Sequence, residues 1–154
     1  VDLDQYHIPL KFRGSVRKAA VEPVCRTLDQ VAAATAPFDA MVAGFGAFPT
    51  IRRPRVLWAG VHATPELRCL KQDLEWGLAE LGFEKETRAF HPHLTLGRAA
   101  SEGAGSFRGL DEFMASLELE APFVVRTVDL MESRTSSEGA TYSVVHRARL
   151  SGGD

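Results

Sequence analysis

Phe90-His91-Pro92-His93-Leu94-Thr95-Leu96-Gly97-Arg98 is the stretch from which the rest of the chain can be read. From His93 to Leu96 polar and aliphatic residues alternate, the pattern of a half-buried strand. Residues two apart on a strand face the same side, so His93 and Thr95 are expected to project together while Leu94 and Leu96 pack on the other face. A second segment repeats the design near the start, His7-Ile8-Pro9-Leu10. Each runs into basic residues, Lys11 and Arg13 in the first case and Arg98 in the second. Two matched strands in a chain with five histidines suggest a pair of imidazoles converging on one substrate.

Working outward, residues 6–12 read as a strand. Val21, Val24, Cys25, Leu28, Val31 and Ala32 follow helical spacing over about residues 20–34, with Pro23 confined to the first turn. Residues 38–48 and 56–61 read as strands, Trp58 lying in the apolar second one. Thr64-Pro65-Glu66 is a helix start: a capping hydroxyl, a proline at the first helical position and an early carboxylate. Leu67, Leu70, Leu74, Leu78 and Leu81 supply its apolar stripe and Gly82 its stop. Residues 99–106 are rich in Gly, Ser and Ala, and 107–117 suggest a short helix. Two long strands, about 122–134 and 141–150, close the chain around the turn-rich 135–139. The order of elements is α+β. Its two strand–helix–strand halves imply a two-lobed, pseudo-symmetric arrangement of antiparallel sheets, helices outside and a central active-site cleft.

Composition bounds the possibilities. At 154 residues, 45% hydrophobic and 25% charged, residues 1–154 are expected to form one soluble domain with a genuine core. No apolar run approaches the ~20 residues that span a bilayer, and no signal-peptide pattern is present. Cys25 and Cys69 lack metal-type spacing and fit buried thiols in a reduced, cytoplasmic setting. The net charge of −2 excludes the global basic field of a protein that coats nucleic acid. Arg52-Arg53-Pro54-Arg55 is a local basic run, solvated by default, with phosphate steering as its alternative.

Imidazole titrates near neutrality and exchanges protons at physiological pH. Two imidazoles on opposite sides of a phosphorus atom divide an in-line displacement, one activating water and the other protonating the departing oxygen. A hydroxyl two residues along the strand donates to a non-bridging oxygen where charge builds, and Arg98 adds a fixed positive charge suited to phosphate. No metal or cofactor is required. His91 with His93 invites a zinc reading, but no third ligand has suitable spacing; His91 is expected at the rim. His62 and His146 have no partner pattern.

The phrase around His93 resembles the second signature of the two-histidine phosphoesterases, which include the RNA 2′,3′-cyclic phosphodiesterases, also called 2′-5′ RNA ligases. Gly44-Phe45-Gly46-Ala47-Phe48-Pro49, the stretch Pro54-Arg55-Val56-Leu57-Trp58-Ala59-Gly60-Val61, the first histidine segment, and Ser133, Gly139 and Tyr142 are similar to other parts of the family. The resemblance implies hydrolysis of a terminal 2′,3′-cyclic phosphate of RNA to the 2′-phosphate, with reversible 2′-5′ ligation in related members. It implies that His7 protonates the leaving ribose oxygen, His93 activates water, and Thr95 holds the phosphate beside Arg98. Pro9, Lys11, Phe12, Arg13 and Tyr142 are the further expected substrate contacts, Phe12 or Tyr142 as a base-stacking ring.

Two departures stand out. The first signature normally carries threonine where this chain has Pro9, so one phosphate donor is absent, with Lys11 and Arg13 as candidate compensation. Only six residues precede His7, whereas family members usually have a strand and a helix there. The partners implied are RNA ends or small cyclic nucleotides, met by a monomer without membrane or metal. The alternatives are an RNA- or nucleotide-binding module of the same fold with impaired catalysis, and a cyclic phosphodiesterase of small nucleotides.

Overall fold

Thr64 starts the better-defined helix as its residue types dictate. In the computed structural model, which describes residues 7–11, 14–50, 54–98 and 120–153, the helix α2 runs Pro65–Ala79. The Thr64 hydroxyl accepts from the Leu67 N–H at 3.3 Å, Pro65 stands where no N–H is needed, and Glu66 lies in the positive first turn. Leu67, Leu70, Leu74 and Leu78 form the buried stripe. The stripe ends there: Leu81 is 41% exposed, because the helix closes at Ala79 and Gly82, at φ +92°, turns the chain away.

Helix α1 covers Lys18–Ala33, starting earlier than the position of Pro23 suggested. Pro23 is therefore inside the helix, beyond the first turn, and the bond that its missing N–H would donate is lost. Burial of Val24, Thr27, Leu28 and Ala32 just beyond it outweighs that defect. Gly77 lets α1 approach α2 closely, since a Cβ there would lie 2.6 Å from the Thr27 methyl. Cys25 is half-buried, but Cys69 is exposed rather than buried, because it falls on α2 outside the leucine stripe.

The strands are β1 Phe38–Pro49, β2 Pro54–Val61, β3 His93–Arg98, β4 Glu120–Val125, β5 Thr127–Ser136 and β6 Gly139–Arg149. One sheet has the order β3-β2-β1-β4 and a second pairs β5 with β6; β1–β2, β2–β3 and β5–β6 are antiparallel. The single long strand expected over 122–134 is thus two strands in two sheets. The break is at Arg126, whose carbonyl accepts instead from Leu150 N–H at 2.9 Å. The β5–β6 turn is tighter than expected, with Ser136 opposite Gly139 and Gly139 at φ +119°, a conformation that suits glycine.

The first histidine segment departs most from expectation. Residues 7–11 lie outside any strand. Pro9 has no N–H to give a ladder, so the i, i+2 rule does not place the side chains of His7, Pro9 and Lys11 on one face. The short helix expected at 107–117 lies outside the described residues.

The chain divides into two compact units. The first comprises Val1–Pro9, Ala40–Ala63 and His91–Phe123, and its core is made of small residues, among them Ala40, Ala47, Ala59 and Val61. The second comprises Leu10–Asp39, Thr64–Phe90 and Val124–Asp154. There α1 packs on α2 and on β5–β6, with Leu28, Leu67, Leu70, Leu74, Val128, Ala148 and Leu150 in the core. Among the described residues no helix is long and apolar enough to cross a membrane.

Candidate active site

Strand β3 is held in register by β2, and the register sets its faces. Gly60 pairs with His93, Ala59 with Leu94 and Trp58 with Thr95. His93 and Thr95 therefore share a face with Trp58, while Leu94 lies opposite, beside the buried Ala59. The next pair is Leu57 with Gly97, which leaves Leu96 as the extra residue of a bulge. Leu96 is 39% exposed, so it does not pack with Leu94 as simple alternation predicted. The bulge ends the regular alternation directly after Thr95. Arg98 pairs through its backbone with Val56.

His93 sits against two aromatic rings. Its ring meets Phe48 edge-on at 5.7 Å and 76°, and Trp58 at 6.2 Å and 60°. Phe48 and Trp58 lie 5.4 Å apart. Gly46, paired with Trp58 across β1–β2, makes this possible: a Cβ at Gly46 would stand 2.1 Å from the indole. Gly46→Val adds a residue of better strand propensity yet should destabilise by about 1–3 kcal/mol through overpacking, read as a lowered urea midpoint. Unchanged stability would show that the indole moves aside freely. Trp58, expected as core, is half-buried and forms the wall behind His93.

The protonation pattern of His93 follows from one contact. Nδ1 lies 2.8 Å from the carbonyl oxygen of His91. A carbonyl only accepts, so Nδ1 carries the hydrogen, and in the neutral ring Nε2 carries the lone pair. The carbonyl that does this is itself positioned, because Pro92 O accepts from Val61 N–H at 3.0 Å and ties the His91-Pro92-His93 segment to β2. His91 thus acts through its backbone, and its side chain is exposed.

The other expected residues are distributed as follows. His7 is half-buried and belongs to the same compact unit as His93 and Thr95. Pro9 is exposed. Lys11 has other partners than those expected: its ammonium binds the Glu75 carboxylate and donates to the Glu84 carbonyl at 2.8 Å. With a side chain only 6% exposed, it is held in an internal ion pair. Phe12 and Arg13, like Arg52 and Arg53, lie outside the described residues. Tyr142 is half-buried on β6, opposite Ser133. His146 Nε2 donates to Asp29 Oδ1 at 2.7 Å, a structural contact, and His62 is exposed.

The Glu75 cluster had only a partial signal in the sequence, the i, i+4 spacing from Lys71. Lys71 reaches Oε1 at 3.0 Å, and the Glu86 N–H donates to Oε2 at 3.1 Å. Lys71 also donates to the Leu10 carbonyl. Burial pushes the Glu75 carboxyl up, but hydrogen bonds from Lys11, Lys71 and the Glu86 N–H, with the Lys71 charge, outweigh it and hold the carboxyl below its ordinary value.

Known proteins share this arrangement of elements. The family model of the 2′-5′ RNA ligase superfamily matches residues 3–136. The RNA 2′,3′-cyclic phosphodiesterase of Aeropyrum pernix is 32% identical over 154 residues, 97% of this chain and 84% of that protein. The one from Geobacillus stearothermophilus is 38% identical over 95 residues, 62% of this chain and 30% of that longer protein. In three dimensions the chain is similar to TT0787 of Thermus thermophilus, with a TM-score of 0.80 at 26% identity over 99% of this chain and 81% of that one. A match over most of the length, in sequence and in fold, places this chain in the 2′-5′ RNA ligase superfamily.

Proposed function

We propose that His93 and His7 divide the two proton transfers of a phosphodiester hydrolysis, with Thr95 holding the phosphate. The chain is an RNA 2′,3′-cyclic phosphodiesterase, the activity named for its curated relatives. The observation that carries the residue assignment is the Nδ1 contact of His93 with the His91 carbonyl at 2.8 Å, which leaves Nε2 as a base on the face that also bears Thr95.

Nε2 of His93 takes a proton from water as its oxygen attacks phosphorus. The P–O3′ bond breaks, and His7 supplies the proton to the departing 3′ oxygen, leaving a 2′-phosphate and a 3′-hydroxyl. The Thr95 hydroxyl donates to a non-bridging oxygen as negative charge grows on it. Because one imidazole starts neutral and the other protonated, each turnover exchanges their states and solvent restores them. The two imidazoles supply all the proton traffic, so the reaction needs no metal or cofactor. With a ribose 5′-hydroxyl in place of water as the nucleophile, the same breaking of P–O3′ joins two RNA ends through a 2′-5′ phosphodiester without ATP. The free thiols of Cys25 and Cys69 fit work in the reducing cytoplasm.

The test is incubation with RNA ending in 2′,3′-cyclic phosphate in the presence of chelator. The expected product is the 2′-phosphate end, with Thr95→Val lowering kcat by about 10² through loss of one donor to the developing charge. A reaction abolished by chelator, or a 3′-phosphate product, would overturn the assignment.

A further inference from the structure

A second concentration of cations and aromatic rings lies in the unit that does not contain His93. One wall is the outer side of α2 with Arg68, Lys71 and Trp76; the other is the 83–90 segment with Lys85, Arg88 and Phe90. Between them is a groove of about 310 Å³, at the small end of ligand-binding pockets. Since α2 buries its leucines, Trp76 faces outward and is 58% exposed. The Lys85 ammonium stands 3.2 Å from the centre of the Trp76 ring, and that of Lys71 lies 5.5 Å from Phe90.

The charges in the groove do not cancel. Glu75 is engaged by Lys11 and Lys71, and Glu86 by Arg88 at 3.3 Å. Arg68 and Lys85 have no carboxylate partner among the described residues. The wall is also fixed in place, since the Glu86 N–H and Glu84 carbonyl are bonded to Glu75 and Lys11. A site organised before binding pays little ordering entropy. The 83–90 wall continues along the chain directly into His91-Pro92-His93.

We infer that this groove binds single-stranded RNA, with phosphates against Arg68 and Lys85 and a base against Trp76. The inference rests on the phosphodiesterase reading for the identity of the strand. The chemistry itself favours RNA over an acidic peptide, because paired cations beside an exposed ring match a phosphate backbone with open base faces. It also favours a single strand over a duplex, whose bases are already stacked.

The experiment measures anisotropy of a short, labelled single-stranded RNA ending in a 3′-hydroxyl, which is not a substrate. Arg68→Glu combined with Lys85→Glu, both at exposed positions, should weaken binding about tenfold and reduce the log–log salt slope by about 1.4. Trp76→Ala should weaken it about tenfold and Trp76→Phe should restore it. Duplex RNA should bind less tightly, and turnover of a 2′,3′-cyclic mononucleotide should be unchanged in every variant. Wild-type affinity in the charge-reversed pair would overturn the inference, as would polyglutamate competing as well as RNA. Because the probe is not hydrolysed, absence of cyclic-phosphate turnover in the wild type would instead sink the phosphodiesterase reading and leave the groove to be judged by affinity.

Discussion

His93→Ala should lower kcat on cyclic-phosphate RNA by about 10³, the middle of the range for loss of a positioned general base, with KM nearly unchanged. The selectivity for kcat follows from the chemistry: Nε2 acts on the attacking water, and that interaction develops only as the transition state forms. Packing offers a competing explanation, because the His93 ring also touches Phe48 and Trp58. The pH profile separates the two. With two imidazoles in opposite protonation states, wild-type kcat should be bell-shaped. Removing the base should flatten the acidic limb, and His7→Ala should flatten the alkaline one. A loss below tenfold, or a profile that keeps both limbs in His93→Ala, would show that His93 is a structural ring.

Glu75→Leu should cost about 3–5 kcal/mol of folding stability, read from urea unfolding. The Glu75 side chain is 10% exposed, and its partners Lys11 and Lys71 are 6% and 14% exposed. Removing the carboxylate leaves two ammonium groups withdrawn from water with no counter-charge. Replacing all three, Glu75→Leu with Lys11→Met and Lys71→Met, should recover most of the loss, since a buried ion pair and an apolar substitute of similar volume are often comparable. The sign of the pH dependence is set by the lowered carboxyl of Glu75. Its contribution is fully present above the ordinary glutamate value and is lost as pH falls through the lowered one. Wild type should therefore lose this stabilisation on acidification from about pH 4.5 downward, while Glu75→Leu should show a shallower decline. Equal declines would mean that the cluster does not couple to folding.

Several of these features are visible in the residues themselves. Thr64-Pro65-Glu66 marks the start of α2 because capping, a missing donor and a helix-end charge all act within one turn. The sharing of a face by His93 and Thr95 follows from strand pleat alone. The same local rule fails at Leu96 and at His7, where a bulge and a proline interrupt the ladder. It also fails at Arg126, where one run of strand-forming residues serves two sheets. Helix α1 shows the opposite failure, with burial around Leu28 carrying the helix through Pro23.

The sequence by itself determined the types of both described helices and of the strands around Trp58 and His93, the residues of the histidine phrase and the superfamily they resemble, because these depend on periodicity and on residue chemistry over a few positions. Only the tertiary structure decided how those residues are used. The tautomer of His93 depends on the backbone at His91, which β2 holds in place. The ring wall depends on Gly46 meeting Trp58 across two strands. The commitment of Lys11 depends on Glu75, 64 residues away along the chain. Each is a contact between distant segments, and no local pattern encodes which segments folding brings together.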